Sequence, residues 1–180
     1  MGSGMFKTWF GNWRISTFSG ALLAAYFIPV WSIVAFRIMV SPIHGLFEQP
    51  NVSVALFVSD YLQLATVATV RVAWLLALGR LTVVAFFAIF LVFATRASIR
   101  RTGGSDEALA IAIALGSVIS FASMVMASRV GEAAALQLHA TELLMLLGTA
   151  IVMLCERPSR LESPVAARLS LQQSQLLDNR

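Results

Sequence analysis

The chain has 180 residues, 58% hydrophobic and only 12% charged, with a mean hydropathy of +0.81. A soluble domain carries about twice that share of charged residues, so too little charge remains to cover a water-facing surface, and a soluble globular class is excluded. The single cysteine, Cys155, excludes a disulfide within the chain and a cysteine-built metal site.

The net charge is +4, carried by 12 arginines and one lysine, Lys7. Basic residues that flank apolar runs report membrane topology, so nucleic acid is not an expected partner. Arginine in place of lysine is associated with GC-rich bacterial genomes, and a bacterial inner membrane is the expected location.

Met1, Gly2, Ser3 and Gly4 read as an appended stretch ahead of a native start at Met5. Residues 1–17 read as an N-terminal interfacial segment. Phe6, Trp9, Phe10 and Trp13 recur there at helical spacing beside Lys7 and Arg14, and aromatic rings with basic neighbours favour the headgroup layer. The first apolar run is too long for a signal peptide and has no small-residue cleavage site behind it, so it is expected to stay as a span.

That first span is residues 18–40, about 34 Å of helix against a bilayer core of about 30 Å. Pro29 should kink it, and Ser41-Pro42 closes it. Residues 52–71 come next. Ser59, Asp60, Gln63, Thr66 and Val70 fall on one largely polar helical stripe, which suits an amphipathic or partly embedded helix on the outer side. No Gly, Pro or Asn separates this stretch from the next apolar run, so it is expected to run on without a hairpin.

Residues 73–95 form the second span, interrupted only by Gly79-Arg80, and Thr102-Gly103-Gly104 then turns the chain. Ser105 is a good helix cap, and Asp106 and Glu107 favour the positive end of a helix dipole. Residues 108–127 and 132–155 are the third and fourth spans, joined by a tight turn carrying Arg129. Residues 156–180 form a polar tail.

The fold class is therefore an all-α integral membrane protein, a four-span helical bundle with one extra outer-side helix between spans 1 and 2. Lys7, Arg14, Arg96, Arg100, Arg101, Arg157, Arg160 and Arg168 fall on one side of it; Arg37, Arg71 and Arg129 fall on the other. The positive-inside rule then puts both termini in the cytoplasm.

Two constellations stand out. In the third span Ala108, Ala112, Gly116 and Ser120 recur every four residues, a stripe that lets helix backbones approach closely in lipid. It suits an interface with another chain or packing inside one bundle. In the fourth span Glu132, His139 and Glu142 share one helical face, with Glu142 about 15 Å from Glu132 along the axis, near mid-membrane. An ionisable residue at that depth is costly unless partnered and is a functional candidate by default. Arg80 enters the second span to the depth of His139, and its guanidinium can reach a further turn to Glu142. The pair would act as a register-fixing ion pair or as a functional site.

His44 and His139 are the only histidines. They could ligate a haem between two helices or, with Glu132 or Glu142, a metal. A loop histidine and a hydrogen-bonded core histidine are the plainer reading, and no cofactor is expected. There is no phosphate loop, nucleophile elbow or voltage-sensor run of arginines.

These features lead first to a non-catalytic membrane subunit or oligomeric scaffold, with lipid, copies of itself or other membrane subunits as partners. A small ion- or proton-coupled transporter or channel built on Glu142, His139 and Arg80 comes second. A haem-bearing electron-transfer subunit comes third.

Overall fold

The computed structural model describes residues 15–96 and 104–156, and they are helical almost throughout. The helices are α1 (Ile15–Val40), α2 (Pro42–Phe47), α3 (Val52–Leu56), α4 (Thr66–Thr95), α5 (Gly104–Val130) and α6 (Ala133–Glu156). Among the described residues, α1, α4, α5 and α6 are long and apolar enough to cross a membrane. Their outward faces expose large apolar side chains such as Leu22, Phe36, Leu75, Val118, Leu144 and Ile151. In water such a surface would drive aggregation, whereas lipid accepts it.

Sequence neighbours in the bundle run antiparallel. Phe27 of α1 stacks on Phe87 of α4 with ring centroids 5.6 Å apart, and Gly79 of α4 faces Ile119 of α5. Helix α6 closes the ring against α1, where the Ser19 and Thr149 hydroxyls pair at 2.8 Å. Glu156, the last residue of α6, accepts from the Ser16 backbone N–H at 3.2 Å and from its hydroxyl. That puts a carboxylate at the first turn of α1, where exposed N–H groups favour negative charge.

One end of the bundle thus holds Ile15, Thr95, Gly104 and Glu156 and is the terminal end. The other holds the α5–α6 turn and the short helices and is the hairpin end. At that turn Gly131 adopts φ +81°, and its N–H and that of Glu132 both donate to the Ala127 carbonyl. A left-handed residue after the last helical turn is the usual helix stop, and glycine takes it without a Cβ clash. Gly131→Ala should cost about 1 kcal/mol, read as a lower thermal midpoint in detergent. An unchanged midpoint would mean the turn relaxes.

Helix α1 runs unbroken through Pro29 to Val40. Pro42 then opens α2, as suits a residue with fixed φ and no N–H to lose. Helix α2 folds back so closely that Gly45 lies against the backbone of Arg37 and Ile38. The Asn51 side-chain amide donates to the Gly45 carbonyl at 3.0 Å and ties the following loop to α2.

The extra element between spans 1 and 2 is present but shorter than the polar stripe suggested. Helix α3 buries Ser53, Val54 and Ala55 and passes into one π-helical stretch, Phe57–Tyr61. The chain leaves helix over 62–65, and α4 begins at Thr66 rather than at Ala73. The expectation of a helix continuing to Arg71 is therefore corrected. The physical reason is Gln63, which takes a left-handed φ of +46° and makes the break without glycine, proline or asparagine.

The other spans begin or end within a few residues of their expected limits. The interfacial segment up to residue 14, the turn at Thr102-Gly103, Arg100, Arg101 and the tail from Arg157 lie outside the described residues.

Two apolar clusters fill the interior. Toward the terminal end, Phe27, Phe87, Phe90, Leu109, Leu146 and Met153 form a core of large side chains. Toward the hairpin end, Ile38, Leu46, Val54 and Val58 pack with four alanines, at 35, 55, 73 and 77. Arg80 lies between Ala77 of the second cluster and Val83 of the first. A polar layer occupies that boundary.

Candidate functional site

The layer takes side chains from all four long helices. Glu142 is on α6, about 14 Å from the first residue of that helix by helical rise. It is 2% exposed and its carboxylate accepts from three sides. The Trp31 indole N–H of α1 donates to Oε1 at 3.1 Å. The Ser120 hydroxyl of α5 donates to Oε2 at 3.1 Å. His139 Nδ1, one helical turn earlier on α6, lies 3.0 Å from the same oxygen.

Each donor is where it is for a local reason. His139 and Glu142 are three residues apart, so one helical face presents both. Ser120 belongs to the small-residue face of α5, and a hydroxyl that close to α6 needs no long side chain to reach the carboxylate. Trp31 is held by the edge-to-face ring of Phe27, 5.0 Å away, which aims its N–H across the bundle.

Arg80 completes the layer from α4. It is 1% exposed, and its guanidinium carbon sits 5.6 Å from the centroid of the Trp31 ring. A desolvated cation over an indole face gains about 2 kcal/mol. Arg80 and Glu142 do not form a direct ion pair. The close charged contacts of the layer and its surroundings are His139 Nδ1 to Glu142 at 3.0 Å, an ion pair when the imidazole is protonated, and the exposed Arg37–Glu48 pair at 3.1 Å. Trp31 instead stands between cation and carboxylate, its ring toward Arg80 and its N–H toward Glu142. In a low-dielectric interior such linked groups polarise one another.

The arrangement therefore surrounds a buried carboxylate with two donors, an adjacent imidazole and a nearby cation, and leaves three nitrogens over. Arg80 Nε and Nη1 and His139 Nε2 are buried without a hydrogen-bond partner. With Nδ1 against the Glu142 carboxylate, Nε2 is the His139 nitrogen left without a hydrogen-bond partner. The layer thus sets an imidazole with one unpartnered nitrogen beside a buried carboxylate, with a cation across the Trp31 ring.

Of the residues singled out from sequence, Glu142, His139 and Arg80 are thus brought into one layer. Glu132 is not: it precedes the first turn of α6, half-buried, and its carbonyl accepts from the Leu136 N–H. His44 is exposed on α2 while His139 is enclosed in the bundle. Among the described residues no group of three or more His, Cys, Asp or Glu side chains could hold a metal ion.

Ala108, Ala112, Gly116 and Ser120 are all buried inside the chain. A Cβ on Gly116 would meet Leu146 of α6 at 3.4 Å and Val83 of α4 at 3.6 Å, so the stripe packs within this bundle.

Trp31 is the site residue that sequence reasoning missed. The available signal was its position, a tryptophan in the middle of a span, far from the interfaces where its polar N–H is usually satisfied. No family model, curated protein or solved structure matches the chain.

Proposed function

We propose that the protein is a small proton-coupled membrane transporter whose working group is the Glu142–His139 pair. The observation that carries this reading is the single ionisable layer at mid-length of all four spans, with His139 Nε2 buried and unpartnered. A pair that only fixed helix register would be expected to satisfy its own nitrogens. The membrane is the bacterial inner membrane and both termini are cytoplasmic in this reading, on the distribution of arginines. Proton uptake at Glu142 would weaken its hold on Trp31 and Ser120 and let α1 and α5 shift relative to α6.

The test is proton flux in reconstituted vesicles under an imposed pH gradient, followed with an entrapped pH-sensitive dye. Glu142→Gln keeps the shape of the side chain and removes the charge, and flux should fall to the background of empty vesicles. A folded Glu142→Gln protein that transports at the parental rate would remove Glu142 from the mechanism. Parental protein without flux above empty vesicles would end the reading.

A second reading, an oligomeric scaffold or subunit of a membrane complex, draws on the seam between α1 and α6. A groove of about 430 Å³ opens there, lined by Ser19, Tyr26, Gly148 and Thr149 among apolar neighbours. This reading expects gentle extraction to yield an assembly of several 19.5 kDa chains or a complex with other subunits, and a monodisperse monomer would count against it.

A further inference from the structure

The unpartnered polar atoms of the interior are unevenly distributed along the bundle. Among the described residues they are, besides Arg80 Nε and Nη1 and His139 Nε2, Asn51 Oδ1 and Ser53 Oγ toward the hairpin end and Ser117 Oγ, one helical turn from Ser120 on the terminal side. Asn51 and Ser53 are 1% and 0% exposed and sit at α3, at the hairpin end. Helices α3, α4 and α6 all pack against α5, so these atoms surround one helix. The buried face of α5 carries Ser120 and Ser123, then Ala127, on its way to that end. The neighbouring walls combine Ala35, Ala55, Ala73 and Ala77 with Ile38, Leu46, Val54 and Val58, aliphatic side chains that supply no hydrogen bonds and, at the alanines, little bulk.

Toward the terminal end the interior is different. Phe27, Phe87, Phe90, Leu109 and Leu146 close it with bulky apolar groups. On the same face of α5, Ser120 gives way to Gly116, Ala112 and Ala108.

A buried donor or acceptor without a partner costs about 1–3 kcal/mol, more for a charged group. Native interiors meet that cost with ordered water wherever a site is polar and offers several partners, whereas apolar cavities stay dry. Arg80 supplies donors, Asn51 and Ser53 supply acceptors, and the serines of α5 supply both.

We infer that water enters the bundle from the hairpin end, past Asn51 and Ser53 and along the Ser123–Ser120 face of α5, and reaches Glu142 and His139, while the phenylalanine core seals the terminal side. The water is the proton donor and acceptor for His139 Nε2. Access from one side only is what a transporter needs in one of its two alternating states. The inference rests on Glu142–His139 being the working pair, and it adds the route and the side from which that pair is served.

The experiment reads accessibility, not flux. In a Cys155→Ser background, single cysteines are placed at Ser123 and Ser53 on the route and at Ala112 on the same α5 face below Glu142. Each is exposed in membrane vesicles to methanethiosulfonate ethylammonium, a small hydrophilic thiol reagent. Ser123→Cys and Ser53→Cys should react at least about tenfold faster than Ala112→Cys, since thiol reactivity follows access to water and the thiolate form. Equal rates at 123 and 112, or a faster reaction at 112, would overturn the route. Retained thermal midpoints identify the variants whose fold is intact. If Ser123→Cys reacts and the parent shows no flux, the route stands and the transport reading falls. If flux is present and Ser123→Cys and Ser53→Cys stay inert, the route falls alone.

Discussion

Glu142→Leu should destabilise the bundle by about 3–5 kcal/mol, the usual consequence of removing one side of a buried charge network. The leucine fills the space but accepts nothing. Trp31 Nε1 and Ser120 Oγ lose their acceptor and His139 Nδ1 loses its partner, and Arg80 stays buried without the Glu142 charge. Thermal unfolding in detergent, followed by tryptophan fluorescence, should show a large fall in midpoint.

The informative comparison is with Arg80→Leu and with the double variant. If Arg80 and Glu142 act through the shared Trp31, the double variant should be less damaged than the sum of the singles, by about 1–3 kcal/mol. Additive effects would mean that the cation and the carboxylate are energetically independent, and the layer would then be two separate features of the fold.

Gly45→Ala should be damaging for a different reason. A Cβ there would lie 2.7 Å from both the Cα and the N of Ile38 and 2.8 Å from the carbonyl carbon of Arg37. These are backbone atoms and cannot rotate away, so α2 must lift off the end of α1. Overpacking of this kind costs about 1–3 kcal/mol. The lift would also disturb Leu46, fully buried in the hairpin-end cluster, and the carbonyl that receives the Asn51 amide.

Gly148→Ala is the control. Nothing lies within 4 Å of a Cβ at that position, so its thermal midpoint should stay within the scatter of ordinary surface changes, about 0.5 kcal/mol. Equal midpoints for the two variants would show that the α1–α2 corner is softer than its close contacts imply.

Much of this architecture was open to reading along the chain. Hydropathy and length found the four spans, because a helix must satisfy its own backbone in lipid and therefore announces itself as a long apolar run. The helical period put His139 and Glu142 on one face, and depth along the helices matched Arg80 to them. These are local properties, set by spacing within one helix. The break before Thr66 escaped notice because Gln63 makes it with a backbone conformation that its residue type does not advertise.

What the sequence by itself determined is that apolar helices enclose a few costly charges and that those charges lie near mid-span. What the tertiary structure decided is who meets them: Trp31 as the bridge between Arg80 and Glu142, Ser120 as a hydrogen-bond donor as well as a small packing residue, and the α5 stripe turned inward. Lipid is as apolar as the helix faces it touches, so hydrophobicity does not choose which face turns in. Rotation and axial register are set by close packing between helices, and only the folded bundle contains that information.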